Sequence, residues 1–307
     1  MAVMATGKIR TVPLTLIMGS YRVVGASPDG DSVRFYPRDR QAFRRAGIAV
    51  KANAAGGVQL RLDAIDALET HYTPPHAPHE WHQRPEFGAG AADALLRELG
   101  FTDVTRTTGG TVTAATPTQT DGYILTRFAD KYGRAVAMAF AGEPPTGTRD
   151  GGSVFLDVEG LHRSVNHRLL AAGWVYPTFY SKLYADLRAD LAATTEAARR
   201  AATGIWKLDV TTAGFTVSSR AALTDDLVVL PKLFRRLAEY LTLDESGGVD
   251  LSGFRDFLAT LDDRLFTVPD GQATALDSLV TVATASGTTG QTVTLTVPPE
   301  RIVFLEG

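Results

Sequence analysis

Three short segments of the chain combine carboxylates with guanidinium groups. The first is Asp29-Gly30-Asp31-Ser32, the second runs from Arg61 through Asp66 to Glu69, and the third is Asp130–Arg134, DKYGR. Carboxylate oxygens suit a hard divalent cation, which can neutralise charge on an attacked phosphate. Guanidinium forks bind phosphoryl oxygens, and a carboxylate near a water molecule can act as a general base. The three segments together predict metal-assisted cleavage of a phosphodiester without a covalent nucleophile.

Each segment taken alone also has an ordinary structural explanation. The first is typical of a hairpin turn, and it is not an EF-hand loop because Arg40 stands where the twelfth-position acid is required. The second can be a strand edge with surface ion pairs, and Asp63 can belong to such a pair. The third can be a polar β-turn with Gly133 in a left-handed conformation. The chemical interpretation therefore depends on the three segments meeting in space.

In their order and internal spacing, the three segments resemble the thermonuclease, or staphylococcal-nuclease-like, family. That family has D-G-D-[TS] on a hairpin, then R-x-x-x-x-D-x-x-E, then D-x-Y-G-R. The stretch 164–177, SVNHRLLAAGWVYP, and a long helix ending at Gly204-Ile205-Trp206 are also similar to it. The resemblance covers roughly residues 15–209. The chain departs from the family pattern at Ala67-Leu68, where a proline usually precedes the glutamate. It also has longer stretches between Ser32 and Arg61 and between Glu69 and Arg134.

The resemblance implies a fold, an activity and a set of site residues. The fold is α+β, a five-stranded OB-fold β-barrel with packed helices, and the activity is calcium-dependent hydrolysis of DNA and/or RNA, single-stranded or locally melted. The resemblance implies that Asp31, Asp66 and the backbone carbonyl of Ala67 are metal ligands. It implies that Arg61 and Arg134 bind the phosphate and that Glu69 is the general base, these three being the catalytic residues. The implied substrate contacts are Tyr132, Tyr176 and Tyr180.

Charge and composition divide the chain near residue 210. The 307 residues carry a net charge of −3, with the positive excess before residue 210 and a strong acidic excess after it. We therefore expect a thermonuclease-like domain over 1–209 and an extension over 210–307. Neither part is strongly basic, so any hold on nucleic acid is local. The absence of cysteine excludes disulfides, thiolate catalysis and cysteine-based zinc sites.

Hydrophobic periodicity predicts the elements that position these segments. Strands are expected on both sides of the Asp-Gly turn, at Tyr21–Ala26 and Ser32–Tyr36, and over 58–64 with Arg61 on the polar face. Further predictions are paired strands at Gly122–Phe128 and Ala135–Phe140, and helices at Phe87–Leu99, Leu161–Ala172 and Thr178–Ala202.

The extension is predicted to be mainly helical, with a final strand. Helices are expected at Leu227–Leu243 and Leu251–Leu261, a Thr/Gly/Ser-rich linker over 282–292, and strand-like sequence over 293–305. Helical spacing of Leu230, Leu233, Phe234, Leu237, Tyr240 and Leu241 predicts a packing face. That face can dock onto the barrel or onto another subunit.

Two further features leave alternatives open. His71, His76, His79 and His82 lie in a proline-rich loop, which can hold a transition metal or be a solvated loop near the substrate groove. The apolar run Val12–Met18 follows two basic residues, and a first strand is favoured over a signal peptide. No run is long enough for a membrane helix, so we expect no membrane partner and a cytoplasmic protein, with export not excluded.

Three functions compete at this point. The first is an active calcium-dependent nuclease, which all five catalytic residue types favour. The second is a non-cleaving scaffold of the same fold that binds nucleic acid or protein. The third is a phosphodiesterase on another substrate or a regulated nuclease, in which residues 210–307 bind a partner, self-associate or inhibit. The sequence favours the first.

Overall fold

The structure is a computed structural model that describes residues 12–75, 77–244, 248–284 and 290–305. The strands are β1 (Leu14–Tyr21), β2 (Ser32–Pro37), β3 (Val58–Leu62), β4 (Ile65–Asp66), β5 (Asp103–Arg106), β6 (Val112–Thr116), β7 (Thr120–Ala129), β8 (Ala135–Ala141), β9 (Ser153–Val154), β10 (Tyr176–Pro177), β11 (Phe179–Tyr180), β12 (Phe215–Val217), β13 (Arg264–Thr267), β14 (Ala273–Ala275), β15 (Val280–Thr284), β16 (Gln291–Leu295) and β17 (Ile302–Phe304). The helices are α1 (Ala42–Arg45), α2 (Pro85–Glu98), α3 (Val158–His162), α4 (Val165–Ala171), α5 (Ala185–Arg200), α6 (Pro231–Leu241), α7 (Phe254–Ala259) and α8 (Leu276–Leu279), with short helical turns at Gly204–Lys207, Ala222–Asp226 and Pro299–Arg301.

Five strands close into a β-barrel. Their order is β2-β3-β8-β7-β1, and β1 pairs back onto β2 through Gly19, which lies opposite Pro37. Gly19 is also the register partner of Gly122 on β7. A Cβ at Gly19 would lie 2.2 Å from the carbonyl oxygen of Tyr36, and one at Gly122 would lie 2.3 Å from that of Phe140. The barrel can close here because neither residue has a side chain. The predicted five-stranded barrel with packed helices, an α+β arrangement, is confirmed at this level.

Helix α4 fixes the end of the barrel that carries the second motif. Ser164 caps the helix by accepting a hydrogen bond from the amide of His167. The buried Asn166 accepts from the amide of Ala139 on β8 at 2.9 Å and donates to the carbonyl of Asp63 at 2.8 Å. These bonds hold the turn between β3 and β4, where Asp63 lies, against β8.

The predicted boundaries of two helices and one strand need correction. The prediction for Leu161–Ala172 is interrupted at Ser164, because that residue caps a new helix. The prediction for Thr178–Ala202 begins only at Ala185, because Phe179–Tyr180 form a strand instead. The strand predicted at Tyr21–Ala26 does not form beyond Tyr21, because β1 ends at that residue. The predicted strands on both sides of residues 130–134 are present, and the apolar run near the N-terminus forms β1.

Residues 210–307 differ from the prediction in their strand content. This part of the chain contains six short strands, β12 to β17, as well as α6, α7 and α8. The expectation of a single final strand is therefore wrong, and the mainly helical character of this segment is not confirmed. Strand β17 pairs in parallel with β11, so the last strand joins a sheet begun by the preceding part of the chain.

The chain forms two hydrophobic clusters. The first fills the barrel and the space beneath α2, α4 and α5. The second lies under α6 and includes Leu68, Tyr176, Ile205 and Trp206 together with the apolar face of α6. The predicted stripe on that helix is therefore a packing face within this chain. That residues 1–209 and 210–307 are separate domains stays a prediction. Among the described residues, no helix has the length and apolarity to cross a membrane.

Candidate functional site

The first two motifs meet at one end of the barrel. Asp31 immediately precedes β2, and its carbonyl accepts a hydrogen bond from the amide of Leu62 at 2.8 Å. Arg61, on β3, forms an ion pair with the Asp31 carboxylate through Nη1 and donates a hydrogen bond through Nη2 to Asp66 Oδ1 at 2.8 Å. Asp66 is held on β4 by its register with Tyr176. Two buried carboxylates from separate motifs therefore lie within reach of one guanidinium.

Gly30 allows this close approach. The amide of Ala67 donates to Asp31 Oδ2 at 2.9 Å, which places residue 67 directly beside the first motif. A Cβ at Gly30 would lie 2.5 Å from the Cβ of Ala91 and 2.7 Å from that of Ala67. The glycine of the Asp-Gly-Asp motif is thus required for packing against α2 and the second motif.

Arg235 of helix α6 enters the same site from the C-terminal part of the chain. Its Nη2 lies 2.9 Å from Asp66 Oδ2, and its Nη1 bonds Glu69 Oε1 and lies 3.4 Å from Asp66 Oδ1. The Arg235 side chain is 24% exposed. The carboxylate cluster, defined as Asp31, Asp66 and Glu69, is therefore covered by a guanidinium that the sequence analysis did not identify.

Burial and the two guanidiniums set the protonation of the cluster. Burial raises the pKa of Asp31 to about 7, because it outweighs the opposing effect of Arg61. Burial alone would raise the pKa of Asp66, but Arg235 and Arg61 hold it below its usual range. Burial raises the pKa of Glu69, and Arg235 opposes that rise. With all three carboxylates ionised, the cluster and both guanidiniums carry a net charge of about −1, and without Arg235 about −2.

Gln83 positions Glu69 and was missed by the sequence analysis. Its side chain is fully buried. Its Oε1 accepts from the amide of Glu69 at 3.1 Å, and its Nε2 donates to the carbonyl of Val229 at 2.8 Å. The backbone N–H of Gln83 donates in turn to the backbone carbonyl of Glu69 at 2.7 Å. Gln83 therefore links the second motif to the residues that lead into α6.

Arg134 lies on the same outer face of the barrel but is not bonded to the cluster. Arg61 on β3 is the register partner of Val136 on β8, and Arg134 precedes Val136 by two residues. Side chains two apart share a strand face, so Arg134 is displaced about 7 Å along the strand from Arg61. Arg134 Nε bonds Asp130 Oδ2 at 2.6 Å. Its guanidinium carbon lies 5.4 Å from the ring centre of Tyr132, which is 59% exposed.

The turn that carries Arg134 has the predicted conformation. Gly133 has a φ of 84°, as the sequence predicts. The Asp130 carboxylate also accepts from the amides of Tyr132 and Arg134, at 3.0 and 2.9 Å. These bonds fix the turn, and the side-chain bond to Asp130 engages Arg134 through Nε.

The three predicted tyrosines have different environments. Tyr132 is exposed, as a nucleotide contact requires. Tyr176 is fully buried, donates to Asp209 Oδ1 at 2.7 Å and packs edge-on against Trp206 at 5.0 Å. This placement gives Tyr176 a packing role and does not fit the predicted contact with substrate. Tyr180 is half-buried, and burial together with the nearby Asp66 carboxylate raises its pKa.

The oxygen donors of the cluster suit calcium, but in this conformation they are already paired. Calcium binds carboxylate and carbonyl oxygens, which is the donor set that Asp31, Asp66 and the Ala67 carbonyl offer. Arg61 brings both carboxylates to one place, and Arg235 covers Asp66. The residues fit the cation chemically, provided that Arg235 withdraws.

The loop histidines do not form a metal-ligand group in the described part of the chain. His71 lies 3.1 Å from Thr70 Oγ1, and His82 lies 3.8 Å from Asp225. His76 lies outside the described residues. A group with suitable donor spacing is instead formed by His162, His167 and Asp190. The short spacing between its two histidines was the available signal, but Asp190 joins them only through tertiary packing.

Comparison with models of known protein families finds no matching family, and comparison with curated proteins finds no matching protein.

Proposed function

We propose that this chain is a calcium-dependent phosphodiesterase that hydrolyses DNA and/or RNA at the carboxylate cluster of an OB-fold barrel. The observation that carries the proposal is the meeting of Asp31, Arg61, Asp66 and Glu69 at one end of the barrel. These residues come from two separate motifs, and their types are those that hydrolysis of an anionic diester needs.

The chain's own residues divide the work as follows. Asp31, Asp66 and the Ala67 carbonyl would hold calcium, which when bound neutralises charge on the phosphate. Arg61 exchanges part of its bonding with the carboxylates for the phosphoryl oxygens, and the Arg134 guanidinium joins it there. Glu69 orients the attacking water and accepts its proton as the water oxygen bonds to phosphorus. The P–O ester bond opposite breaks, and the departing oxygen takes a proton from solvent. Tyr132 stacks on a base, since its ring is exposed beside Arg134.

Arg235 supports a regulated form of this activity. Its guanidinium pairs with the proposed base Glu69 and the proposed ligand Asp66, so neither is free in this conformation. A cation and Arg235 compete for the same oxygens because both satisfy the same negative charge. We therefore propose that residues 210–307 act as an inhibitory module and that activity requires Arg235 to move away.

Cleavage of single-stranded DNA tests the proposal. The assay compares calcium with excess chelator for the wild type, Arg235→Met and the double variant Arg235→Met/Glu69→Gln. The control is Arg255→Met, which alters an exposed arginine of α7. We expect calcium-dependent cleavage that is faster in Arg235→Met than in the wild type, and a loss of about 10²–10⁴ in rate on adding Glu69→Gln. Cleavage that persists in chelator and in the double variant would rule the mechanism out.

A second candidate is a non-cleaving binder of nucleic acid, and Arg235 is the observation that favours it. A guanidinium fixed on the carboxylates can replace the cation permanently and leave Arg134 and Tyr132 to hold a strand. Tight, metal-independent binding of single-stranded DNA, with no products from either the wild type or Arg235→Met, would favour this function.

A further inference from the structure

Three helices bring two histidines and an aspartate together on the side of the barrel. His162 ends α3, His167 lies on the first turn of α4, and Asp190 lies on α5. We propose that His162, His167 and Asp190, here named the His–Asp group, bind a transition-metal ion of the zinc class. This site is separate from the carboxylate cluster and does not rest on the proposed function.

The donor atoms are already close to the spacing that a small divalent ion needs. Asp190 Oδ2 lies 2.8 Å from His162 Nε2 and 3.7 Å from His167 Nε2, and the donor atoms of the group all lie within 4.8 Å of one another. Zinc binds imidazole nitrogen and carboxylate oxygen at about 2.0–2.2 Å, so tetrahedral ligands stand roughly 3.3–3.5 Å apart. The two separations that involve Asp190 Oδ2 therefore differ from these values by only about 0.2–0.7 Å.

The two imidazole rings are arranged to act together. Their centres are 4.2 Å apart with planes inclined by 30°, so the rings stack, and both have Nε2 within 4 Å of Asp190 Oδ2. Thr194, one helical turn after Asp190, lies 3.2 Å from His167 Nε2 through Oγ1. Because this contact uses the nitrogen that would bind the metal, the hydroxyl would give up His167 Nε2 when a metal ion enters.

Charge and exposure also suit a metal ion. The nearest arginines in sequence are engaged elsewhere, Arg163 with Glu159 and Arg168 with Glu98, each at 3.1 Å. The His167 and Asp190 side chains are 13% and 21% exposed, whereas His162 is 49% exposed. Two imidazoles and one carboxylate on a half-buried surface leave an open side for entry and for a water ligand.

The donor types separate this site from a calcium site. Imidazole suits zinc, cobalt, nickel and copper, whereas calcium takes oxygen donors. A bound ion would join α3, α4 and α5, and α4 carries Asn166, which holds β8 and the turn before β4. The expected consequence is a more stable barrel end, independent of calcium.

Cobalt and zinc binding to the full chain test the proposal. Metal-free protein is titrated with Co²⁺, followed by its visible absorption, and with Zn²⁺ in competition with a chromogenic chelator. The variants are His162→Gln and Asp190→Asn, and the matched control is His71→Gln, which alters a histidine outside the group. Asp66→Asn is added because it removes a proposed calcium ligand and leaves the His–Asp group intact.

We expect one equivalent of Co²⁺ or Zn²⁺ to bind wild type, His71→Gln and Asp66→Asn alike. The dissociation constant should rise at least tenfold in His162→Gln and in Asp190→Asn, and zinc should raise Tm in the wild type but not in Asp190→Asn. His162 is exposed, so His162→Gln leaves the fold intact. No saturable binding, or binding unchanged in both group variants, would overturn the proposal and leave a hydrogen-bonded cluster between helices.

Discussion

The carboxylate of Glu69 and the guanidinium of Arg235 form an ion pair although the two residues are 166 positions apart in the chain. The same guanidinium also bonds Asp66. A residue of the proposed reaction centre is therefore held by a helix of the C-terminal segment. This pairing makes the state of the site depend on where α6 lies.

Arg235→Met should make the thermal stability of the chain depend on calcium. Removing one partner of a buried ion pair leaves uncompensated charge, which costs about 3–5 kcal/mol. In chelator we therefore expect Arg235→Met to melt well below the wild type. In calcium the variant should regain stability, because the ion binds the freed carboxylates and stabilises only the folded state. Thermal unfolding with and without calcium measures both effects.

The control for this prediction is Arg255→Met, which should show the same Tm as the wild type in both conditions. If Arg235→Met is destabilised equally with and without calcium, its carboxylates do not form a cation site.

Gln83→Ala should destabilise the chain and loosen Glu69 together. The buried amide serves the backbone of Glu69 and the carbonyl of Val229, and its loss leaves both unpaired. Each unsatisfied buried group costs about 1–3 kcal/mol. Urea unfolding measures the free energy of unfolding, and hydrogen exchange at the Glu69 amide reports the local loosening.

Gln59→Ala is the matched control for Gln83→Ala. Gln59 is a glutamine on β3 that donates to Ser32 Oγ at 3.1 Å and does not touch Glu69. Faster exchange at Glu69 in Gln59→Ala as well would show that the effect is not specific to Gln83.

Tyr176→Phe and Tyr132→Ala should separate packing from substrate contact. Tyr176→Phe removes a buried hydrogen bond to Asp209, so we expect a loss of about 1.5–3 kcal/mol in stability and no change in affinity for single-stranded DNA. Tyr132→Ala alters an exposed ring, so we expect the opposite, weaker DNA binding with an unchanged Tm. Fluorescence anisotropy with labelled DNA measures the affinity, and thermal unfolding measures the stability of each variant. A stable Tyr176→Phe variant with reduced DNA affinity would show that Tyr176 contacts substrate after all.

Asp263 should contribute stability that is lost in acid. Burial opposes its ionisation, but hydrogen bonds from Arg236 and the charge of Lys232 lower the pKa of Asp263 to about 2. A carboxylate with a lowered pKa in the folded state stabilises above its unfolded pKa, near 4, and loses that contribution as pH falls toward 2. At neutral pH we expect Asp263→Asn to lose about 2 kcal/mol relative to the wild type, and less at pH 2.5. Denaturant unfolding at both pH values measures the difference.

The neighbouring Asp262→Asn is the control, because Asp262 pairs with Arg264 on the surface. Its effect should be below about 1 kcal/mol at either pH. A pH-independent loss in Asp263→Asn would contradict the assigned role of its charge.

The sequence predicted those parts of the site that local spacing encodes. Asp31, Arg61, Asp66 and Glu69 follow from motifs whose members are close in the chain and lie at the ends of strands. Arg235 could not be found in this way, because it lies on the polar side of an amphipathic helix, where arginine is commonly solvated. Only the docking of the opposite face, with Leu233 and Leu237, turns it toward the cluster.

The fold shows the same division. The barrel strand β3 was predicted from its clear alternation, whereas β11 and β12 contain only two and three residues and have no detectable period. Tyr176 was assigned to substrate because its position fits a motif, but its burial depends on Trp206 and Asp209, which arrive from later in the chain. Tertiary packing decides such cases.

The parallel pairing of Phe179 and Tyr180 with Val303 and Phe304 limits how the protein can be dissected. Removing residues 210–307 would take away β17, the pairing partner of β11, and would expose Leu68 and Tyr176. The shortened chain would then expose an apolar surface and an unpaired strand edge, and both promote aggregation. Release of the site is therefore better sought as a local swing of α6 than as detachment of the whole C-terminal third.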